Sequence, residues 1–140
     1  MKLGNVQNNA ETTTTKKTFD PVPKARYGAE IAFIKISPTK DGTGEKCEAT
    51  FKITDGEHAG RYIWHTFNLI NKSAKAQEVA ESQMDKYLKC VGYKKGYNKD
   101  EFSLKFILDW IKKPVAINVD IEPAKGQYKA KNKISSFAVK

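Results

Sequence analysis

The hydrophobic period of this chain changes twice, from two to about 3.6 and back to two, and this restricts the fold more than any other feature. Cys47, Ala49, Phe51 and Ile53 alternate with Lys46, Glu48, Thr50 and Lys52, the pattern of a half-buried strand. Arg61 to Leu69 repeats it, with Ile63, His65, Phe67 and Leu69 on one face and Tyr62, Trp64, Thr66 and Asn68 on the other. Upstream, Tyr27 to Ile36 is a strand whose apolar face switches parity. Ile31 and Phe33 point one way, then Ile34 and Ile36 the other. One extra residue re-aims every later side chain, so a bulge or strong bend is expected. Turn signals at Pro38–Gly44, and at Asp55-Gly56 with Gly60, space the three strands closely enough for an antiparallel meander.

The helical period occupies the middle. Ala76, Val79, Ala80, Gln83, Met84, Tyr87, Leu88 and Val91 form an amphipathic stripe, opposite Lys75, Glu78, Glu81, Asp85, Lys86 and Lys89. Asn71 or Ser73 can cap its start, and Gly92 is placed to end it. A second, short helix is predicted within Asp100–Ile111, capped by Asn98 or Asp100, with Phe102, Phe106, Leu108 and Trp110 as packing groups. Strand character returns in Pro114–Glu122 through Val115, Ile117, Val119 and Ile121, breaks at Gly126, and resumes from Tyr128 to Val139.

Three strands, one or two helices and two strands define a mainly β chain with a helical insertion between strands three and four. That order is the connectivity of a five-stranded OB-fold-like barrel. The bent first strand fits, because small barrels need bulges to close. Another small α+β sheet satisfies the same periodicity. Residues 1–18, with four successive threonines and few large apolar side chains, cannot bury enough to offset their ordering entropy. They are expected to be a flexible N-terminal tail, with a strand that pairs only in a complex as the alternative. Residues 19–140 are expected to form a single OB-fold-like domain.

Charge narrows the function classes. Lys and Arg number 25 against 16 acids, a net +9 in 140 residues. From Pro123 to Lys140 there are five lysines and no acid. Six lysines between Lys86 and Lys105 face only Asp100 and Glu101. Such asymmetry suits a polyanionic partner, although a solvated lysine face is the plain alternative. Arg26 and Arg61 are the only arginines. Base-edge reading favours Arg, Asn or Gln, whereas lysine suits phosphate contact without sequence choice. If the aliphatic face of the third strand is the core, Tyr62 and Trp64 are exposed beside Arg61 and opposite Lys46, Lys52 or Thr50, a stacking platform flanked by cations. The alternative turns Trp64 inward and His65 outward. Tyr128, between Lys125 and Lys129, is a further surface ring.

Other classes find little support. No apolar run has the length of a membrane span, and no signal-peptide pattern opens the chain, so a cytoplasmic protein is expected. Cys47 and Cys90 lack metal-ligand spacing and read as two small buried hydrophobes. His58 and His65 have no partners at catalytic spacing, and no nucleotide-binding, zinc-protease or hydrolase motif occurs. We therefore expect a non-enzymatic protein without cofactors or metals.

Several segments together resemble a family. Phe19-Asp-Pro-Val-Pro through Tyr27-Gly-Ala-Glu-Ile, then Pro38-Thr-Lys-Asp-Gly-Thr-Gly44, are similar to the opening of a bacteriophage family long labelled as of unknown function. Phe51-Lys-Ile-Thr-Asp-Gly-Glu-His-Ala-Gly-Arg61, Trp64-His-Thr-Phe-Asn-Leu-Ile-Asn71, Ala76, Lys113-Pro-Val115 and Asn132-Lys-Ile134 continue it. The resemblance implies OB-fold single-stranded-DNA-binding proteins of phage replication or recombination modules, acting in the cytoplasm of the infected bacterial host. It carries over one position, Arg61, as a backbone or phosphate contact; a structural pairing with Asp55 or Glu57 is the alternative. Many bacterial single-strand binders recruit partners through an acidic C-terminal tail, and this chain ends Phe137-Ala-Val-Lys140.

The expected function is sequence-nonspecific binding of single-stranded DNA. Lys46, Lys52, Arg61, Lys94, Lys95, Lys129, Lys131 and Lys133 would contact phosphates, and Tyr62, Trp64 and Tyr128 would stack bases. Expected partners are single-stranded DNA, a phage recombinase or replisome protein, and a second copy of the chain, with no membrane. The alternative is a non-enzymatic module that docks a recombinase or replisome component.

Overall fold

A computed structural model of the chain describes residues 21–126 and 129–140. Five antiparallel strands form one sheet: β1 (Ala25–Pro38), β2 (Glu45–Ile53), β3 (Tyr62–Ile70), β4 (Val115–Glu122) and β5 (Lys131–Ala138), in the order β3-β2-β1-β4-β5. Between β3 and β4 lie α1 (Ala74–Cys90) and the single-turn α2 (Leu104–Leu108). No helix among the described residues is long and apolar enough to cross a membrane.

The length of β1 shapes the sheet. Its first part pairs with β4, from Ala25 opposite Val119 to Ala29 opposite Val115. From Ala29 onward it pairs with β2, ending at Pro38 opposite Glu45. One strand thus passes from one partner to the other, and the sheet curls around an interior. That interior holds Ile31, Phe51, Ile53, Ile63, Phe67, Ile117 and Phe137, covered by Met84, Tyr87 and Leu88 of α1. Phe137 spans it, stacking on Phe51 and Phe67 at 5.6 and 6.0 Å between ring centres. The two edge strands, β3 and β5, therefore pack near one another. No ladder joins them among the described residues, so the backbone closure expected of a barrel is not formed.

The bulge in β1 is present, and its place corrects the expectation. Ile31 pairs with Phe51 and Phe33 with Thr50, so Ala32 is the extra residue. Ile31, Ile34 and Ile36 face inward, and Phe33 faces outward rather than sharing the face of Ile31. The bulge is clamped from outside its own hairpin, because the Lys112 amide donates to the Ile31 carbonyl at 2.9 Å.

Helix α1 starts as the sequence suggests. The Ser73 hydroxyl accepts from the Ala76 amide, and Gly92, at φ 108°, follows the last turn. The second helix is shorter than predicted and is capped by Ser103. Asn98 instead forms a tight turn, in which its side chain accepts from the Asp100 amide and its carbonyl from Glu101 and Phe102. Ile107 is the buried residue of α2, and Leu108 is exposed. Ile121, near the end of β4, is also partly exposed. Both cysteines are buried and free, and burial pushes the Cys47 thiol up to about 12. The expected tail, residues 1–18, lies outside the described residues.

Candidate functional site

The register of β1, β2 and β3 arranges outward side chains in cross-strand rows. One row is Glu30, Lys52 and Tyr62; the next is Phe33, Thr50 and Trp64; a third is Lys35, Glu48 and Thr66. The inward parity of β3 is fixed by buried Ile63, Phe67 and Leu69, which forces Tyr62 and Trp64 outward. Tyr62 is 41% exposed and Trp64 66%. Rings turned outward in this way gain nothing from the core. The third row is internally compensated: Glu48 accepts from the Ser37 hydroxyl at 2.7 Å and lies 3.7 Å from the Lys35 ammonium. The Ser37 hydrogen bond is the main influence lowering the Glu48 pKa, and the Lys35 and Lys46 charges add to it.

His65 points the other way from Trp64. Its Nε2 lies 3.0 Å from Gln83 Oε1, and its ring meets Phe67 and Phe137 edge-on at 4.6 and 5.8 Å. Burial lowers its pKa, and the bond to Gln83 opposes that. Such surroundings favour a neutral ring with a packing role.

The turn between β2 and β3 holds Arg61 in place. Gly56 and Gly60 adopt left-handed φ values of 77° and 94°, which side chains with a Cβ rarely occupy. The Gly60 amide donates to the Ile53 carbonyl, and the Ile53 amide to Arg61. Asp55 fastens this turn to β1 and the C-terminus: it accepts from the Gly28 amide at 3.2 Å and lies 3.4 Å from the Lys140 ammonium. Arg61 is half-buried and close enough to Tyr27 for its charge to oppose the raising of the tyrosine pKa by burial and Glu57.

Where β3 and β5 diverge, a groove of about 650 Å³ opens between them. Arg61, Tyr62 and Trp64 line one wall, Lys131 and Lys133 the other. Pro21 stands at its margin, beside Val22, whose amide and carbonyl are both bound by the Asn132 side chain at 2.8 and 2.9 Å. Lys131 and Lys133 also line an adjoining concavity with Lys125 and Lys129. Glu122 is the acid in both, 3.6 Å from Lys131.

Seven of the expected residues thus lie together. Tyr62, Trp64 and Lys52 share the outward face, Arg61, Lys131 and Lys133 line the groove, and Lys129 continues it. Lys46 instead lines a separate, more apolar groove with Leu69, Ile70 and Leu104. Lys94 and Lys95 are exposed in the turn after α1 and line neither groove. Tyr128 lies outside the described residues. The sequence reading missed Phe33, which is 65% exposed in the row of Trp64. The signal for it was the parity switch itself, read one residue late. No group of three or more His, Cys, Asp or Glu among the described residues could hold a metal ion.

None of the curated proteins compared with the chain matches it. A family model described as a protein of unknown function, DUF669, matches residues 6–139. The match takes in the Asp55–Arg61 turn, the outward face of β1–β3 and both walls of the groove, and the chain belongs to this family.

Proposed function

We propose that this protein binds single-stranded DNA with little sequence preference, as part of a phage replication or recombination system. The observation that carries the reading is the exposure of Tyr62 and Trp64 on one outward face, beside a groove walled by Arg61, Lys131 and Lys133. Bases of an unpaired strand would stack on the rings, each stack contributing roughly 1–3 kcal/mol. The cations would neutralise phosphates along the groove, and a lysine-dominated set gives charge without a base-reading geometry. The strand order β3-β2-β1-β4-β5, with β3 and β5 near one another, is compatible with a partly open OB-type barrel, a fold that binds oligonucleotides on such a face. The resemblance to phage single-strand binders supports the same assignment.

The reading sets a salt dependence. Five phosphate contacts, from Lys52, Arg61, Lys129, Lys131 and Lys133, give a slope of log K against log salt of about −3.5 for a single strand. Affinity then falls roughly 100-fold between 50 and 200 mM salt. Fluorescence anisotropy of a labelled oligo-dT, titrated with the full chain at both salt concentrations, measures this directly. Affinity independent of salt would reject the mechanism, and so would equal competition by duplex DNA of the same length. Trp64→Ala should retain the unfolding midpoint and lose affinity; unchanged affinity would remove Trp64 from the site.

A further inference from the structure

Phe33 is the exposed member of the six described phenylalanines; Phe51, Phe67 and Phe137 are buried, and Phe102 and Phe106 pack partly against the core. Its exposure is built in by the fold. Were Ala32 an ordinary paired residue rather than the extra one, strict alternation would put Phe33 on the inward face with Ile31, and Ile34 and Ile36 would turn to solvent. The Lys112 amide, from the connection between α2 and β4, holds the bulge by its bond to the Ile31 carbonyl. Bulges re-aim side chains and concentrate next to functional sites. Here the bulge puts a bare ring in register with Thr50 and Trp64.

We propose that Phe33 is a base-stacking residue, and that Phe33 and Trp64 each hold a base of one unstacked single strand. This deepens the DNA-binding reading above and rests on it. The geometry argues for separation of the two bases. Phe33 and Trp64 stand two strands apart, so their backbones are about 9–10 Å from one another. Thr50 between them is too short to fill the gap, and on the outer face of a curled sheet side chains diverge. Bases in a stacked strand follow at about 3.4 Å per nucleotide. A ring can lie on a base only where that base's face is open. The strand must therefore give up its own stacking between the two rings. Thymine, which stacks weakly, meets this demand more readily than adenine. The site accordingly prefers oligo-dT to oligo-dA through stacking strength, without reading base edges.

The test uses the full chain and fluorescein-labelled dT and dA oligonucleotides of equal length, followed by anisotropy, with unfolding midpoints recorded for every variant. Phe33→Ala and Phe33→Leu should each bind dT about 5- to 100-fold more weakly, while Phe33→Trp binds as the natural chain does. The natural chain should bind dT more tightly than dA, and Phe33→Ala should narrow that difference. Phe33→Leu binding as tightly as the natural chain would show apolar contact without stacking and overturn the proposal. So would dA binding equal to or tighter than dT. Normal binding by the Phe33 variants with loss in Trp64→Ala would overturn the role of Phe33 and leave the DNA-binding reading standing. Normal binding by all of them would bring down base stacking on this face, whereas no binding of either oligonucleotide by the natural chain would bring down the DNA-binding reading itself.

Discussion

Phe137 should be the costliest single truncation in the protein, and the reason lies in how β5 is attached. Among the described residues its backbone ladder reaches only β4, with Phe137 opposite Ile117. The Phe137 ring ties it to β2, β3 and α1. It stacks on Phe51 of β2 and Phe67 of β3, and meets His65 of β3 and Tyr87 of α1 edge-on at 5.8 and 5.7 Å. At 3% exposure the ring is buried. Burial of such a side chain and the cavity left on its removal together cost about 3–5 kcal/mol for Phe→Ala. Favourable ring pairs add about 0.5–1.5 kcal/mol each beyond area, and four pairs place Phe137 at the top of that range. For a domain of roughly 120 residues, about 4–5 kcal/mol lowers the melting midpoint by about 15–20 °C. That is a large part of the roughly 5–15 kcal/mol that stabilises an ordinary domain. Circular dichroism melts and urea titrations of Phe137→Ala and Phe137→Leu measure it, with the leucine variant losing less than half as much. A fall of under about 4 °C in the alanine variant would mean that the ring does not join β5 to the other strands.

Three further outcomes follow from particular contacts. Because burial lowers the His65 pKa, the unfolded chain binds the proton more readily; stability is complete above about pH 6.5 and declines as pH falls through that value toward the folded pKa. Urea midpoints at pH 7.5 and 5.5 should therefore separate less in His65→Gln than in the natural chain, and equal separation would acquit His65. Replacing Lys131 or Lys133 with Gln should make the salt slope of oligo-dT binding shallower by about 0.7 each, whereas an unchanged slope would take the phosphates out of the groove. Asn132→Ala removes both bonds to Val22 and leaves its amide and carbonyl to find other partners, a loss of about 1–3 kcal/mol that should appear as faster amide exchange at Val22; unchanged exchange there would show that the clip is dispensable.

The parts that could be read from the sequence were those in which one local rule acts alone. Alternation located β2 and β3, and the inward residues Ile63, Phe67 and Leu69 left Tyr62 and Trp64 no other direction. The stripe and the Ser73 cap located α1. Ile31-Ala32-Phe33-Ile34 is different, being an uninterrupted apolar run in which either Ile31 or Phe33 can end the first inward set. Pairing with β2 and the bond from Lys112, 81 residues away, decide the matter, and neither is visible locally. The groove was equally hidden. Its walls, Arg61–Thr66 and Lys131–Lys133, come from strands that lie far apart in the chain and form opposite edges of the sheet. Asn98 misled for a chemical reason: the side chain that caps helices also closes turns, and here it does the latter.

Stability and the proposed binding surface are coupled through β3, whose two faces carry different duties one residue apart. Ile63 and Phe67 face the interior, where Phe67 holds the Phe137 ring; Tyr62 and Trp64 face outward and line the groove whose other wall is β5. The distance between the walls is therefore set by how firmly β5 sits against the core. A variant that loosens Phe137 should widen the groove and weaken DNA binding even at temperatures where the chain remains folded. Met84→Ala, which opens the core beneath α1, should lower the melting midpoint with little change in affinity, since Met84 belongs to neither wall. Equal losses of affinity from the two variants at matched stability would mean that the surface responds to global stability alone, and that the seating of β5 has no separate part in holding the strand.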